Sequence, residues 1–452
     1  MSGDPYTPHS GDAGISVEHY DLTIDYKLST NRFTATAVLD IRVQQPTSSL
    51  SLDLVGLRAT RVRVDGDPRA RFRQSDRKLK VSLGASVEAG TVIRVAVAYA
   101  GAPKPRRTRW GSIGWEELED GALVASQPTG APTWFPCNDV PSDKATYRIS
   151  VATDPAYSVI SAVPAEKSTV RGKTVWTFAI DSPTPTYLVT LQIGRYTEDT
   201  VTLGGVRGRL FYPRPLRARA RADFADLGRM MVAFTEAFGP YPFPEYTIIV
   251  TPDDLEIPLE AQGMGIFGAN HIDGTGSLER LVAHELAHQW FGNSVGVHAW
   301  RDIWLNEGFA CYAEWLWSEA SGGPSAHAKA LAHHARLTAL PQDIVVGDPG
   351  PEHMFDDRVY KRGALALHAV RLTVGDAAFF ALLREWASRF AHRTATTAEF
   401  IALAESETAR PLRSLFEAWL EETALPMLPP SQQTEAAAPL TAPIPTLDRS
   451  RR

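Results

Sequence analysis

In the stretch Val282-Ala-His284-Glu285-Leu-Ala-His288-Gln-Trp-Phe-Gly292-Asn293, two histidines stand four residues apart with an acidic residue beside the first. On a helix, side chains four apart share a face, so both imidazoles can reach one cation. Glu285 is rotated by about 100° from His284. Its carboxylate then lies beside the ion, where it can take a proton from water. Glu307 follows His288 with eighteen residues between (307 − 288 − 1 = 18). That length lets one helix stop at Gly292-Asn293, which tolerate the left-handed conformation, and a second helix return a carboxylate. Two His and one Glu leave zinc an open fourth position, the catalytic rather than the structural arrangement, and predict one Zn2+ per chain. Glu314 lies two turns beyond Glu307 on the same helical face. It is a candidate acceptor for a ligand imidazole N–H, with an exposed surface Glu as the competing reading. Cys311, the only nearby cysteine, reads as a packing residue. A buried amphipathic helix with two hydrogen-bonded histidines is the competing reading of the pair.

The elements that must position these residues fall into two regimes. From about 19 to 196 the dominant period is two, as in Tyr20, Leu22, Ile24, Tyr26, Leu28 and in Phe33, Ala35, Ala37, Leu39, Ile41, Val43. Turn signals such as Asp65-Gly66 and Ala100-Gly101 separate the runs, which predicts an all-β domain of antiparallel sheets packed face to face. After Tyr196 the period lengthens. The pattern predicts a helix over 222–238 ended by Gly239-Pro240, a short strand over 246–250, and later helices over 327–340, 361–373, 376–390, 396–407 and 411–422. Thr275 or Ser277 is expected to cap the metal helix, and Thr396-x-x-Glu399 reads as a capping box.

His284-Glu-Leu-Ala-His288-Gln-Trp-Phe-Gly-Asn followed by Trp304-Leu-Asn-Glu307-Gly-Phe-Ala resembles the M1 family of zinc aminopeptidases, the gluzincins of the aminopeptidase N and leukotriene A4 hydrolase type. The resemblance runs in order through most of 15–425. It implies three further site residues. Glu260 stands where the family carries Gly-x-Met-Glu-Asn, whose Glu binds the α-amino group of a substrate. Here Ile257 replaces the Gly, Pro258 follows, Leu259 replaces Met and Ala261 replaces Asn, and Pro258 has no backbone N–H to offer. A surface carboxylate is the alternative for Glu260. Gln127, ahead of Phe135-Pro-Cys-Asn-Asp139, matches a family Gln that reaches the active site, against a purely structural loop packed by Trp134 and Phe135. Tyr360, in Tyr360-Lys-Arg362-Gly, matches a Tyr that stabilises the oxyanion, with Arg362 in the place of the family's Lys.

Together these readings predict an α+β multidomain protein. A flexible N-terminus at 1–14 precedes an all-β saddle or sandwich domain at 15–197. A thermolysin-like, mostly α catalytic domain follows at 198–425, then a disordered tail at 426–452, in a short form without the family's C-terminal helical domain. The implied function is hydrolysis of the N-terminal peptide bond of peptides with a free amine. A zinc-stabilised, non-catalytic peptide-binding scaffold is the rival class, with endopeptidase or epoxide hydrolase as enzymatic alternatives. A net charge of −6 gives no reason to expect nucleic acid or an anionic membrane as partner. Only two cysteines, no basic-apolar leader and no long apolar run make a cytoplasmic protein the expectation, with a monomer as the default.

Overall fold

The computed structural model describes residues 3–430. The tail expected at 426–452 lies outside the described residues from 431 onward, and 426–430 has no regular structure.

The period-two segments form a seven-stranded sheet. In spatial order its strands are Glu166–Val170, Lys173–Pro185, Lys144–Thr153, Ile15–Lys27, Arg32–Val43, Val92–Gly101 and Arg58–Val64. Arg32–Val43 shows why: its residues alternate exposed and buried, with Phe33, Ala35, Ala37, Leu39, Ile41 and Val43 all inside. One pairing departs from the antiparallel expectation, because Ile15–Lys27 runs parallel to Lys144–Thr153, Tyr20 opposite Tyr147. More than a hundred residues separate the two strands, ample chain for the crossover a parallel pair needs. Two smaller sheets complete this part, Thr47–Asp53 with Lys78–Val87 and Arg71–Gln74, and a five-stranded sheet that contains Gly111–Leu118 and Gly121–Ala125. Gly121–Ala125 leads directly into the loop that carries Gln127. These strands enclose one apolar core, centred on Trp115, Trp134, Phe135, Tyr20 and Tyr147.

A fourth sheet begins the second part. Its order is Thr197–Leu203, Val206–Tyr212, Glu245–Val250, Met264–Phe267 and Leu259–Ala261, so the three-residue strand with Glu260 lies at the edge. The helices follow: α1 (Arg217–Asp223), α2 (Leu227–Phe238), α3 (Glu279–Ala287), α4 (Trp304–Ala320), α5 (Ala326–Thr338), α6 (Asp357–Val374), α7 (Asp376–Arg389), α8 (Thr397–Thr408) and α9 (Arg413–Phe416). Their apolar faces share a second core with Trp290, Trp300, Trp304, Trp386 and Trp419 at its centre. A β-rich N-terminal domain followed by a mostly helical one is therefore the architecture.

Several local expectations need correction. The segment before residue 15 is packed rather than flexible over its described part. Asp4 accepts a 2.7 Å hydrogen bond from the Trp300 amide, and the Tyr6 hydroxyl accepts one from Gly350 N at 2.7 Å while donating to Asp348. Neither Thr275 nor Ser277 caps the metal helix. Leu278 holds the N-cap position of α3 without a side-chain bond, because Gly274 and Gly276 turn the chain with positive φ and their amides bind Asp223 instead. Thr396 and Glu399 do form the capping box of α8.

Candidate active site

Helix α3 buries every residue from Val282 to Ala287, including both His284 and Glu285. The helix ends at Ala287 with His288 as its C-cap, short of the stop expected at Gly292-Asn293, and the chain turns through 288–290 to reach Gly292, whose φ is +120°. A side chain there would be strained, and its Cβ would stand 3.1 Å from His288 Nδ1. Glu307 sits in the first turn of α4, where the helix dipole favours its charge. One residue on, Gly308 meets Gly363 of α6, where a Cβ would come within 3.0 Å of its backbone. This glycine-on-glycine contact lets α4 and α6 approach closely, and α6 carries Tyr360.

The three residues predicted as metal ligands converge. His284 Nε2 and His288 Nε2 each lie 3.4 Å from Glu307 Oε2. Ligands about 2.0–2.1 Å from a tetrahedral zinc are about 3.3–3.4 Å from one another, so the spacing fits the ion. The ring nitrogens facing away are both engaged: His284 Nδ1 with Glu314 Oε1 at 2.8 Å, and His288 Nδ1 with the Phe291 carbonyl at 3.1 Å. Each Nδ1 then carries the proton, leaving both Nε2 lone pairs directed at the site. Glu314 is buried, not a surface residue, and also receives Arg280 Nη1 at 3.0 Å on each oxygen. Without a metal, burial would lower both imidazole pKa values, but the carboxylates override it and raise His284 to about 9 and His288 to about 10. Burial would likewise raise Glu307, yet the two histidines hold it at about 2. The pocket is thus set up for concentrated positive charge.

Glu285 is buried beside this cluster, and its Oε2 has no hydrogen-bond partner among the described residues. Burial pushes its carboxyl up to about 7. An orphaned, desolvated carboxylate next to a cation site suits a general base, whose affinity for protons should match the working pH. Glu260, Glu285 and His288 offer ligand atoms within 4.8 Å of one another, so the strand with Glu260 closes one side of the same space. From the β-rich domain Gln127 reaches across and donates from Nε2 to Glu260 Oε1 at 2.7 Å. The Tyr360 ring lies 6.1 Å from that of His284 at an interplanar angle of 15°. Burial and the surrounding carboxylates raise its hydroxyl pKa well above the usual value, so it stays protonated and can donate.

Arg362 is not part of the site. It points to the far side of α6, where its guanidinium donates to five carbonyls, those of Ala418, Trp419, Glu422, Thr423 and Ala424. The basic neighbour on the site side is Lys361, 3.4 Å from Cys311 Sγ. Sequence reasoning missed Gln289, Asn293 and Lys144, which bind the turn after α3 to the strands around it. A polar pair four apart, just past the metal histidines and on the same run, was the available signal.

Comparison with known proteins places the chain in a family. Residues 16–188 match the family model for the peptidase M1 N-terminal domain, and residues 224–419 that for the peptidase family M1 domain. Human endoplasmic reticulum aminopeptidase 1 is 30% identical over 396 residues, 78% of this chain and 41% of that protein. Leucyl aminopeptidase of Saccharolobus solfataricus is 26% identical over 439 residues, covering 92% of this chain and 54% of that protein. The chain thus spans about half, or less, of these relatives. Among solved structures, the M1 zinc metallopeptidase of Deinococcus radiodurans is 32% identical with a TM-score of 0.84, covering 95% of this chain and 99% of that one. A mutant form of the same enzyme, bound to a Tyr-Ser-Ala substrate, matches with a TM-score of 0.86. Yeast LTA4 hydrolase, at 21% identity and a TM-score of 0.78, shares the fold. A two-domain relative matched almost end to end, with both family models in order, means that the chain belongs to peptidase family M1, among the zinc metallopeptidases.

Proposed function

We propose that the protein is an aminopeptidase that removes the first residue of peptides with a free N-terminus, using zinc held by His284, His288 and Glu307. Zinc supplies a Lewis acid that polarises the scissile carbonyl and acidifies the attacking water. Glu285 takes the water's proton and later delivers it to the leaving amine. The Tyr360 hydroxyl donates to the oxygen that becomes negative in the transition state, a contribution of about 2.7–4 kcal/mol for one such donor. Glu314 holds His284 in the tautomer that leaves Nε2 free. Glu260, oriented by Gln127, binds the substrate α-ammonium.

The observation that carries the proposal is the Gln127–Glu260 pair lying against Glu285 and His288. A carboxylate at a set distance from the general base recognises an amine and places the first peptide bond over the reacting groups. The non-catalytic reading has less support, since a binding scaffold has no use for the buried, unpartnered Glu285 Oε2. Among the described residues no helix is long and apolar enough to cross a membrane.

The test uses a panel of aminoacyl-aminocoumarins, each with a free and an N-acetylated amine, on the zinc-loaded protein. Cleavage of the free forms alone, lowered at least about tenfold in kcat/KM by Glu260→Ala, supports the proposal, since a charge-assisted hydrogen bond contributes about 1.5–3 kcal/mol. Equal cleavage of both forms would make the protein an endopeptidase, and cleavage of neither would leave the scaffold.

A further inference from the structure

The strand with Glu260 is short and lies at a sheet edge, paired on one side only, with Glu260 opposite Gly265. Three residues of ladder are a weak hold on a group that must keep its distance from the metal helix. The hold comes from elsewhere. Gln289, fully buried just after His288, accepts from Gly263 N at 2.8 Å and donates from Nε2 to Ala261 O at 3.3 Å and Glu285 O at 3.2 Å. One amide therefore joins the backbone of the proposed base to both arms of the turn that follows Glu260. Asn293, also fully buried, adds Nδ2 to the same Ala261 carbonyl at 2.9 Å. The turn bearing Asn293 is itself pinned from the β-rich domain, since Lys144 Nζ donates to Asn293 O at 2.9 Å, Ser294 O at 2.8 Å and Arg393 O at 3.1 Å.

We propose that Gln289, assisted by Asn293, is a positioning residue that sets the distance between Glu260 and Glu285 and so limits cleavage to the first peptide bond. The proposal rests on the aminopeptidase reading above. An extended peptide advances about 3.3–3.6 Å per residue, so selecting one bond requires Glu260 to stay within a fraction of that length. Displacement by about 1 Å at a reacting centre can cost about a hundredfold in rate. Direct hydrogen bonds from the base's own helix turn to the carbonyl of the residue after Glu260 hold that tolerance.

The test is a double-mutant cycle on the zinc-loaded full chain, with Gln289→Met, which keeps side-chain length but removes the amide, combined with Glu260→Ala. Zinc content and kcat/KM on free-amine aminoacyl substrates are measured for the four proteins. The expected result is unchanged zinc, a loss of at least about tenfold for Gln289→Met alone, and less than about twofold further loss when it is added to Glu260→Ala. A residue acting only through Glu260 cannot be felt once Glu260 is gone. Equal losses in both backgrounds, or no loss for Gln289→Met, would overturn the proposal by making Gln289 a general packing residue. Should Gln289→Met fail to fold, Asn293→Ala removes only the single bond to Ala261. It is expected to cost about fivefold with the same non-additivity, and additivity there would overturn the proposal equally. Wild-type protein inactive on every free-amine substrate would instead refute the aminopeptidase reading, and this inference with it.

Discussion

Glu314 offers a sharp test of how the site holds its metal. Its Oε1 accepts the His284 Nδ1 proton at 2.8 Å, and only 3% of its side chain is exposed, so solvent does little to screen the pair. Burial would raise the carboxyl, yet the hydrogen bond from His284 keeps it at about 2, ionised at any working pH. A hydrogen bond to a buried charge contributes about 1.5–3 kcal/mol, and every 1.4 kcal/mol is tenfold in affinity. Glu314→Gln keeps an oxygen for His284 but loses the charge and the sharing of Arg280 Nη1 between two carboxylate oxygens, so zinc should bind about tenfold more weakly. Glu314→Ala also frees the imidazole to rotate or change tautomer, which should bring the loss to about a hundredfold. The assay is zinc competition against a chromophoric chelator at fixed pH, read together with kcat on saturating zinc. Activity recovered at high zinc is expected, because Glu314 touches neither water nor substrate. Unchanged affinity in both variants would refute the reasoning, as would activity that zinc fails to restore.

The remaining predictions concern groups outside the metal cluster. Tyr360→Phe should lower kcat by about a hundredfold with little change in KM, since its hydroxyl is used in the transition state; normal turnover would reduce Tyr360 to packing. Arg362→Ala should cost about 1–3 kcal/mol in denaturant unfolding by removing the buried guanidinium that ties five carbonyls together, and Arg362→Lys should not restore it because an ammonium cannot match the guanidinium fork. Asp143 is pushed up to about 7 by burial, against about 3.9 in an unfolded chain. The native state therefore binds more protons than the unfolded state between those values, and stability should fall as pH rises from about 4 to 7. Asp143→Asn should flatten that part of a melting-temperature profile, and an unchanged slope would exclude Asp143 as its source.

Local periodicity determined what could be learned about the metal site without a structure. His284 and His288 share a face by helical geometry alone, and Glu285 is offset from them by the same rule. Glu307 was reachable because its spacing allows one turn between two helices, and Glu314 because it repeats the face of Glu307. That a β-rich part precedes a mostly helical one was likewise legible from the change of period, since burial of one face imposes that pattern on each strand or helix, but strands continue to Tyr212, past the change expected after Tyr196. Tertiary structure decided the contacts between distant segments. Gln127 and Glu260 are 133 residues apart, and their 2.7 Å hydrogen bond exists only because the two domains meet at the site. Arg362 lies two residues after Tyr360 on α6, so helical geometry alone turns it about 200° away from the site, but the carbonyls it meets near Trp419 are supplied by the packing of a segment almost sixty residues on. The N-terminal segment looked featureless because Asp4 and Tyr6 find their partners some three hundred residues away. Side chains four apart are brought together by the helix itself, whereas groups a hundred or more residues apart meet only through the packing of whole elements, which no short window of sequence encodes.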